Sequence, residues 1–248
     1  MAKTLRADRI LVERGLAESQ ARAQALILAG LVSSDTRRID KAGQLLPVDA
    51  PIAVKGRDHP WVSRGGVKLA HGLAHFGWDV AGAMAIDVGS STGGFTDVLL
   101  TGGAARVYAV DSGTNQLAWK LRQDARVVVM EKTNARHLTA AQVANPIDIV
   151  VCDASFIALA AVLDSAIDLV RPGGRLLALV KPQFEAARDE VEKGGVVRDP
   201  AVHARVCAAA ADWIAGRGWT VTGIATSPIT GPEGNVEFLL GAVKTATA

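Results

Sequence analysis

The sequence predicts an α/β fold with a seven-stranded, mostly parallel sheet, preceded by a small α+β domain. Five apolar segments between residues 83 and 181 alternate with polar or helical stretches, and two more apolar segments close the chain. Continuous apolar strands that alternate with helices are typical of parallel sheets covered by helices on both faces. The first 55 residues have a different pattern, and 248 residues suffice for one large and one small domain.

Residues 6–30 predict two short amphipathic helices. The first should end at Gly15 and the second at Gly30, because glycine readily takes the left-handed conformation that ends a helix. Ser19 is a suitable N-cap for the second helix. The apolar residues assigned to the second helix are Ala21, Ala25, Leu26 and Leu28.

Short β segments interrupted by Asp, Gly and Pro follow over residues 31–55. We therefore predict a small domain over 1–58, a linker over 59–62 and a large domain over 63–248. The small domain has ten Lys and Arg against seven Asp and Glu, whereas the rest of the chain has seventeen against eighteen. The positive excess favours a polyanionic partner for the small domain.

The large domain begins with a helix over residues 63–77 and continues with seven strands. The last two strands are separated by only a short loop, so they should form an antiparallel pair at or near one edge. Seven strands in this order match the Rossmann-like plan of class I methyltransferases. The predicted strands are AMAIDVG (83–89), RVYAVD (106–111), RVVVM (126–130), DIVVCD (148–153), RLLALVK (175–181), WTVTGIAT (219–226) and VEFLLGAV (236–243).

Polar residues end four of the predicted strands, at the sheet edge where open α/β sheets bind ligands. These residues are Asp87, Asp111, Asp153 and Lys181. Taken singly, each is explained equally well by a role in ligand binding and by an ordinary role as a helix cap or a solvated loop residue. Lys68 in the helix over 63–77 and Glu237 at the start of the last strand should reach the same edge. The topology thus groups Lys68, Asp153, Lys181 and Glu237.

The segment DVGSSTGGFTD, residues 87–97, follows the first strand of this sheet. Gly89, Gly93 and Gly94 would let the backbone approach a ligand closely, and a helix should start near Phe95. The spacing is not GxGxxG, and no Lys-Ser/Thr pair follows, so the segment lacks the signatures of pyrophosphate binding.

Asp111 lies 22 residues after Gly89, at the end of the second strand, where a carboxylate binds the ribose of a nucleoside cofactor. Because S-adenosylmethionine carries no phosphate, it suits this loop better than a dinucleotide does.

Other features exclude several classes of protein. Cys152 and Cys207 are far apart in apolar contexts, which predicts reduced core residues, and no Cys/His cluster suggests a metal. No signal peptide or apolar run of about 18–20 residues is present, so we expect a cytoplasmic protein without a membrane partner. Trp119 and Trp213 are predicted to lie in the core.

Seven motifs resemble the TlyA family of ribosomal RNA 2′-O-methyltransferases over essentially the full chain, and the large domain is similar to FtsJ-type enzymes. The resemblance implies that the Lys68, Asp153, Lys181 and Glu237 group is the catalytic tetrad of that fold. The motifs are WVSRGGVKL (61–69), DVGSSTGGFTD (87–97), EKTNAR (131–136), VCDASFI (151–157), LVKPQFE (179–185), KGGVVRDP (193–200) and SPITGPEGNVEF (227–238).

The first domain is similar to the small αL motif, an S4-like RNA-binding domain. That motif usually has Ser-Arg at the start of its second helix, whereas this chain has Ser19-Gln20, with Arg22 two residues further on. The family linker often contains Arg-x-Trp-Val, whereas this chain has His59-Pro60-Trp61-Val62.

The resemblance implies S-adenosylmethionine as cofactor, cytidine riboses of ribosomal RNA as substrate, and an effect on susceptibility to antibiotics such as capreomycin and viomycin. Lys181 would contact the 2′-hydroxyl and help to activate it. We expect a monomer that binds ribosomal subunits without a metal.

The expected cofactor residues are Asp87, Gly89, Ser90, Ser91, Thr92, Gly93, Phe95 and Asp111, with Asn134 and Phe156 near the adenine. The expected RNA-binding residues are Arg6, Arg9, Arg22, Lys41, Arg64, Arg136, Lys193 and Arg198.

Three other functions are considered. A nicotinamide-dependent dehydrogenase would need the missing GxGxxG. An RNA-binding protein with an inactive methyltransferase domain is disfavoured by the complete tetrad. A pore-forming hemolysin would need an export signal or a strongly amphipathic segment, and neither is evident.

Overall fold

The computed structural model of the chain describes residues 4–17, 19–35, 37–55, 59–231 and 233–246. Short 3₁₀ turns cover Ala135–His137 and Arg188–Glu190. The strands in this described part are β1 Thr4–Arg6, β2 Val32–Ser34, β3 Arg37–Arg38, β4 Leu45–Pro47, β5 Ile52–Val54, β6 Met84–Val88, β7 Arg106–Val110, β8 Val127–Met130, β9 Ile147–Cys152, β10 Val170–Val180, β11 Trp219–Thr226 and β12 Phe238–Lys244. The helices are α1 Ala7–Glu13, α2 Gln20–Leu28, α3 Gly65–Phe76, α4 Gly94–Thr101, α5 Trp119–Arg122, α6 Leu159–Asp168, α7 Pro182–Glu185 and α8 Pro200–Gly216.

The small domain contains the two predicted helices and short antiparallel pairings of β1 with β4 and of β2 with β3 and β5. Gly15 and Gly30 have φ angles of 63° and 71°, as expected for residues that end helices. The predicted N-cap is confirmed, because the Ser19 hydroxyl accepts a hydrogen bond from the backbone N–H of Arg22.

The buried face of α2 differs from the prediction. Ala23, Leu26 and Ile27 are buried, whereas Leu28 is 77% exposed, and Ala21 and Ala25 are exposed as well. The helix is apolar on two opposite faces, so periodicity alone does not select one. Burying Leu26 with Ile27 removes more apolar surface from water than burying Leu28 with two alanines.

The large sheet has the strand order β11-β12-β10-β9-β6-β7-β8 among the described residues. Strands β8, β7, β6, β9 and β10 run parallel, whereas β12 is antiparallel to β10 and β11 is antiparallel to β12. The prediction of a terminal antiparallel pair at one edge is therefore confirmed. Strand β10 begins five residues earlier than expected, with an irregularity between Val170 and Arg175.

Two apolar layers cover the sheet. Helices α6 and α8 pack on one face and α3 and α4 on the other. The core prediction for the cysteines is confirmed, since Cys152 and Cys207 are buried free thiols, and burial raises their pKa values to about 12 and about 11. In the described ranges, no helix is both long and apolar enough to cross a bilayer.

Asp8 is a buried charge that organises the small domain. Its carboxylate accepts two hydrogen bonds from Arg6, and one each from Gln20 and Gln24. Hydrogen bonding to Arg6, aided by the two glutamine amides, outweighs burial and holds the pKa of Asp8 well below its usual range.

The Asp8→Asn variant should be less stable than the wild type by about 1–3 kcal/mol at pH 7, because the charge-assisted hydrogen bonds are lost. Because folding lowers the pKa of Asp8, the difference in free energy of unfolding should have its full size above about pH 5. It should shrink as the pH falls below about 4. Denaturant unfolding across this pH range measures it, with Asp49→Asn at an exposed site as the control. An equal loss at every pH would contradict the assignment.

Candidate active site

Two buried lysine–carboxylate pairs lie at the carboxyl edge of the large sheet. Lys68 Nζ is 2.5 Å from Glu237 Oε2, and Lys181 Nζ is 2.7 Å from Asp153 Oδ1. Both lysines are 7% exposed and Glu237 is 1% exposed. A buried lysine is tolerated when a carboxylate compensates for its lost hydration. The structure thus brings together the four residues that the sequence grouped.

Four different elements supply these side chains. Lys68 lies in the first turn of α3, Asp153 directly follows β9, and Lys181 directly follows β10. Glu237 precedes β12, where Phe238 pairs with Val180 in the antiparallel register. This register places the start of β12 beside the end of β10, so Glu237 reaches the site although its strand runs in the opposite direction.

Three oxygen atoms surround the Lys181 ammonium. Besides the Asp153 carboxylate, it contacts the Asp153 carbonyl oxygen at 3.2 Å and the Ser155 hydroxyl at 2.9 Å. The ammonium donates hydrogen bonds to the carbonyl and hydroxyl oxygens, whereas its contact with the Asp153 carboxylate is an ion pair without hydrogen-bond geometry. The Ser155 residue is exposed, which makes its hydroxyl the partner that an incoming oxygen atom could most readily replace.

Contacts within the protein explain why the loop after β6 has glycine at three positions. A methyl group at Gly89 would lie 2.9 Å from Ala154 Cα, and one at Gly93 would lie 2.3 Å from Leu121 Cδ1. A methyl group at Gly94 would lie 2.2 Å from Ser63 Oγ. These glycines therefore let the loop pack against its neighbours, and Gly89 and Gly94 also line the cavity beside the tetrad. The predicted close approach of a ligand to this backbone stays a prediction. Ser90, Ser91, Thr92 and Phe95 of the same segment line the cavity beside the tetrad.

Asp87 lies beneath this loop rather than on its surface. Its side chain is fully buried and accepts a hydrogen bond of 2.6 Å from Thr96 Oγ1. Burial raises the pKa of the Asp87 carboxyl to about 7 despite that hydrogen bond, and the nearby charge of Asp153 raises it further. Asp87 is not among the residues that line the two cavities, and its contact with Thr96 holds the start of α4 against β6. The predicted cofactor contact of Asp87 stays a prediction.

A second cavity of about 570 Å³ adjoins the tetrad cavity, and the two share lining residues that include Gly89, Ser91 and Asp153. Asp111 lines the second cavity, and its carboxylate accepts the backbone N–H groups of Ser91 at 2.8 Å and Gly113 at 2.7 Å. Asn134 and Phe156 line it as well. The exposed fraction of Phe156 is 89%.

This donor set fits a nucleoside without a phosphate. A carboxylate suits ribose hydroxyls, and an exposed aromatic ring suits an adenine face. Arg136 is the one cation among the described residues that line this cavity, whereas pyrophosphate sites usually present a glycine-rich nest or several cations. S-adenosylmethionine has the matching chemistry.

The expected RNA-binding cations occupy several surfaces. Arg64 lines the tetrad cavity and donates to the carbonyl oxygen of Thr230, and Arg136 lines the second cavity. Arg198 is paired with Glu192, and Lys193 is exposed in the same loop. On the small domain, Arg6, Arg9, Arg22 and Lys41 are all exposed.

Sequence reasoning missed several residues of the site. Ser155, Gln183 and Phe184 line the tetrad cavity, and the Phe184 ring lies 5.2 Å from that of Phe156. All lie in the motifs quoted above, but no periodicity separates them from their neighbours. Trp119 was predicted to be buried, and the structure leaves it 57% exposed. It begins the short helix α5, in which Leu121 is the buried residue.

The Gly93→Ala variant should lose about 3 kcal/mol of stability and weaken S-adenosylmethionine binding roughly 10-fold, because the new methyl group collides with Leu121. Gly82→Ala is the matched control: its φ is 71°, and no atom lies within 4 Å of the added methyl group. It should cost only about 1 kcal/mol, from the left-handed backbone. Denaturant unfolding and calorimetric titration measure both effects, and equal losses in the two variants would contradict the packing explanation.

A pH dependence should follow from Asp87. Between the unfolded pKa of about 4 and the folded pKa of about 7, the folded chain retains a proton that the unfolded chain releases. As the pH rises from 4 to 8, the free energy of unfolding of the wild type should therefore fall. The fall should exceed that of Asp87→Asn by up to about 4 kcal/mol. Unfolding titrations at several pH values test this, with the exposed Asp212→Asn as control. Parallel curves for wild type and Asp87→Asn would contradict it.

Comparisons with known proteins agree with this geometry. Residues 61–244 match the FtsJ-like methyltransferase family model, and residues 5–52 match that of the S4 domain. The chain is 50% identical to the candidate rRNA methyltransferase YqxC of Bacillus subtilis, over 96% of this chain and 85% of the relative.

It is 46% identical to the 16S/23S rRNA (cytidine-2′-O)-methyltransferase TlyA of Mycobacterium tuberculosis, over 97% of this chain and 90% of the relative. A solved structure of a candidate hemolysin from Streptococcus thermophilus is 40% identical, with a TM-score of 0.77, and the match covers 100% of this chain and 90% of that one. The chain therefore belongs to the FtsJ-like methyltransferases and, among them, to the TlyA family.

Proposed function

We propose that the protein is an S-adenosylmethionine-dependent ribosomal RNA methyltransferase that methylates the 2′-hydroxyl of a cytidine ribose. The substrate would be small-subunit RNA, large-subunit RNA or both. The main support is the pair of buried lysine–carboxylate contacts beside a cavity with the chemistry of a nucleoside site. The relative from M. tuberculosis, whose name includes this reaction, matches nearly the whole chain.

The cofactor would lie across the two adjoining cavities. Asp111 would accept its ribose hydroxyls, Phe156 and Asn134 would contact the adenine, and Ser90–Thr92 would contact the methionine portion. Bound S-adenosylmethionine supplies an electrophilic methyl group on a sulfonium sulfur. Because Gly89, Ser91 and Asp153 line both cavities, this arrangement would direct the methyl group towards Lys181.

Lys181 would hold and activate the ribose oxygen. A 2′-hydroxyl is a weak acid, so the reaction needs an aligned oxygen and a route for its proton. In our proposal, the substrate hydroxyl replaces Ser155 beside the ammonium, and the cation stabilises negative charge that develops on the oxygen. Because the Lys181 ammonium is already fully protonated, the Asp153 carboxylate beside it would accept the hydroxyl proton. The oxygen would be held towards the methyl group that the cofactor supplies, with the thioether formed by loss of that methyl group as the leaving group.

Lys68 and Glu237 would position the second side of the same pocket. Their pairing neutralises a second buried charge, and both side chains line the same cavity as Lys181. If either partner were removed, the other would remain as an uncompensated buried charge and would disturb the site. We therefore assign this pair an orienting role.

The two domains would divide RNA recognition between them. In the proposed division, residues 1–58 grip phosphates through exposed cations, residues 59–62 link the domains, and residues 63–248 carry out methyl transfer. Such phosphate contacts make binding sensitive to salt. The enzyme would act as a cytoplasmic monomer, and loss of its methylation would change susceptibility to capreomycin and viomycin.

The Lys181→Ala variant should lower methyl transfer to purified 30S and 50S subunits by at least about 100-fold, because activation of the hydroxyl is lost. S-adenosylmethionine binding should stay within about 3-fold of wild type, since the cofactor residues are unchanged. Lys181→Arg keeps the charge but not the compact ammonium, so it should stay at least about 10-fold below wild type. Labelled-methyl transfer and calorimetry measure both quantities, and full activity of Lys181→Ala would refute the assignment.

A further inference from the structure

Trp119 exposes a large aromatic surface for which the proposed mechanism has no role. It is 57% exposed, whereas the other four tryptophans of the chain are buried or half-buried. Exposed aromatic side chains next to polar groups are typical of surfaces that bind a partner.

The exposure of Trp119 does not result from a loosely held segment. Its neighbours Ala118 and Leu121 are 1% and 3% exposed. Lys120 is ion-paired with the largely buried Asp97 at 2.9 Å, and Arg122 donates to the carbonyl oxygen of Leu117 at 3.0 Å. The short helix α5 is thus fixed on both sides of the indole, which it presents rigidly to solvent.

The indole lines a groove of about 610 Å³ between the two domains. The two domains meet beside it, because a methyl group at Gly15 would lie 3.0 Å from Ala118 Cβ. The groove also exposes the carboxamides of Asn115 and Gln116 and the guanidinium of Arg9. Unpaired nucleotides are recognised by aromatic faces, amides that hydrogen-bond base edges, and cations near phosphates. The groove contains all three kinds of group.

The charges beside the groove favour an anionic ligand. Lys120 is 53% exposed, while its partner Asp97 is only 9% exposed, so the lysine faces solvent more than its carboxylate does. Arg9 is 59% exposed and only loosely paired with Glu13, at 3.9 Å. Two exposed cations, Arg9 in the groove and Lys120 beside Trp119, thus accompany one exposed carboxylate, Glu13, and a phosphodiester backbone would contact the two cations.

We infer that this groove binds an unpaired nucleotide of the RNA substrate, whose base stacks on Trp119. The inference rests on the proposed function, because it assigns the groove to the same RNA. Ser91 and Thr92 line both this groove and the tetrad cavity. RNA held by the small domain would therefore pass Trp119 on its way to the methyl-transfer site.

Substitutions at Trp119 separate stacking from phosphate contacts. Trp119→Ala should weaken binding of unmodified ribosomal subunits about 10-fold, whereas Trp119→Phe, which keeps an aromatic face, should stay within about 3-fold of wild type. Stacking releases no counterions, so the slope of log K against log salt should not change in Trp119→Ala. Arg9→Ala should instead reduce that slope by about 0.7–0.9. Filter binding over a salt series measures these values.

A second readout does not depend on the ribosome. Titration of the full chain with a single-stranded cytidylate octamer should quench its tryptophan fluorescence, and most of that quenching should be absent in Trp119→Phe. If the wild type bound no subunit but the octamer still quenched Trp119, the proposed substrate would fail while the groove assignment survived.

Two outcomes would overturn the inference. One is subunit binding by Trp119→Ala that equals wild type, together with no quenching by the octamer. The other is a loss of thermal stability in Trp119→Ala and Trp119→Phe alike, with affinity falling equally in both. That result would make Trp119 a residue that packs the two domains together.

Discussion

The burial of two lysines at one edge of the sheet is the constraint on which the rest of the active site depends. Each ammonium needs a carboxylate close by, because an isolated buried charge costs several kcal/mol. Lys68 and Glu237 come from α3 and the start of β12, while Asp153 and Lys181 come from the ends of β9 and β10. Only a sheet with β12 inserted antiparallel beside β10 brings these four ends together, so the strand order and the chemistry support each other.

The loop after β6 connects this site to the second cavity, which we assign to the cofactor, and to the small domain. Its glycines let it pack against Ala154 and Leu121, and its serines face the cavity. At the start of α4, Asp97 accepts the backbone N–H of Val62 at 2.8 Å and pairs with Lys120. The buried carboxylate of Asp97 therefore links the segment between the domains, the start of α4 and the helix that carries Trp119.

The sequence predicted the strands and the grouping of the tetrad because both depend on local pattern and on topology. Each apolar run is long enough to define a buried strand, and a polar residue at the end of a parallel strand has a known place in the sheet. The buried face of α2, the exposure of Trp119 and the packing role of Gly93 were not predictable in this way. Each is decided by contacts between residues distant in sequence, such as Gly93 with Leu121, and a single sequence does not reveal them.

The position of the transferred methyl group shows whether the paired lysines activate a ribose oxygen. Purified 30S and 50S subunits from an unmodified strain would be incubated with the enzyme and labelled S-adenosylmethionine, and the RNA product digested to nucleosides. We expect the label on the 2′-oxygen of cytidine. Label on a base would contradict the assigned chemistry while leaving the methyltransferase fold intact.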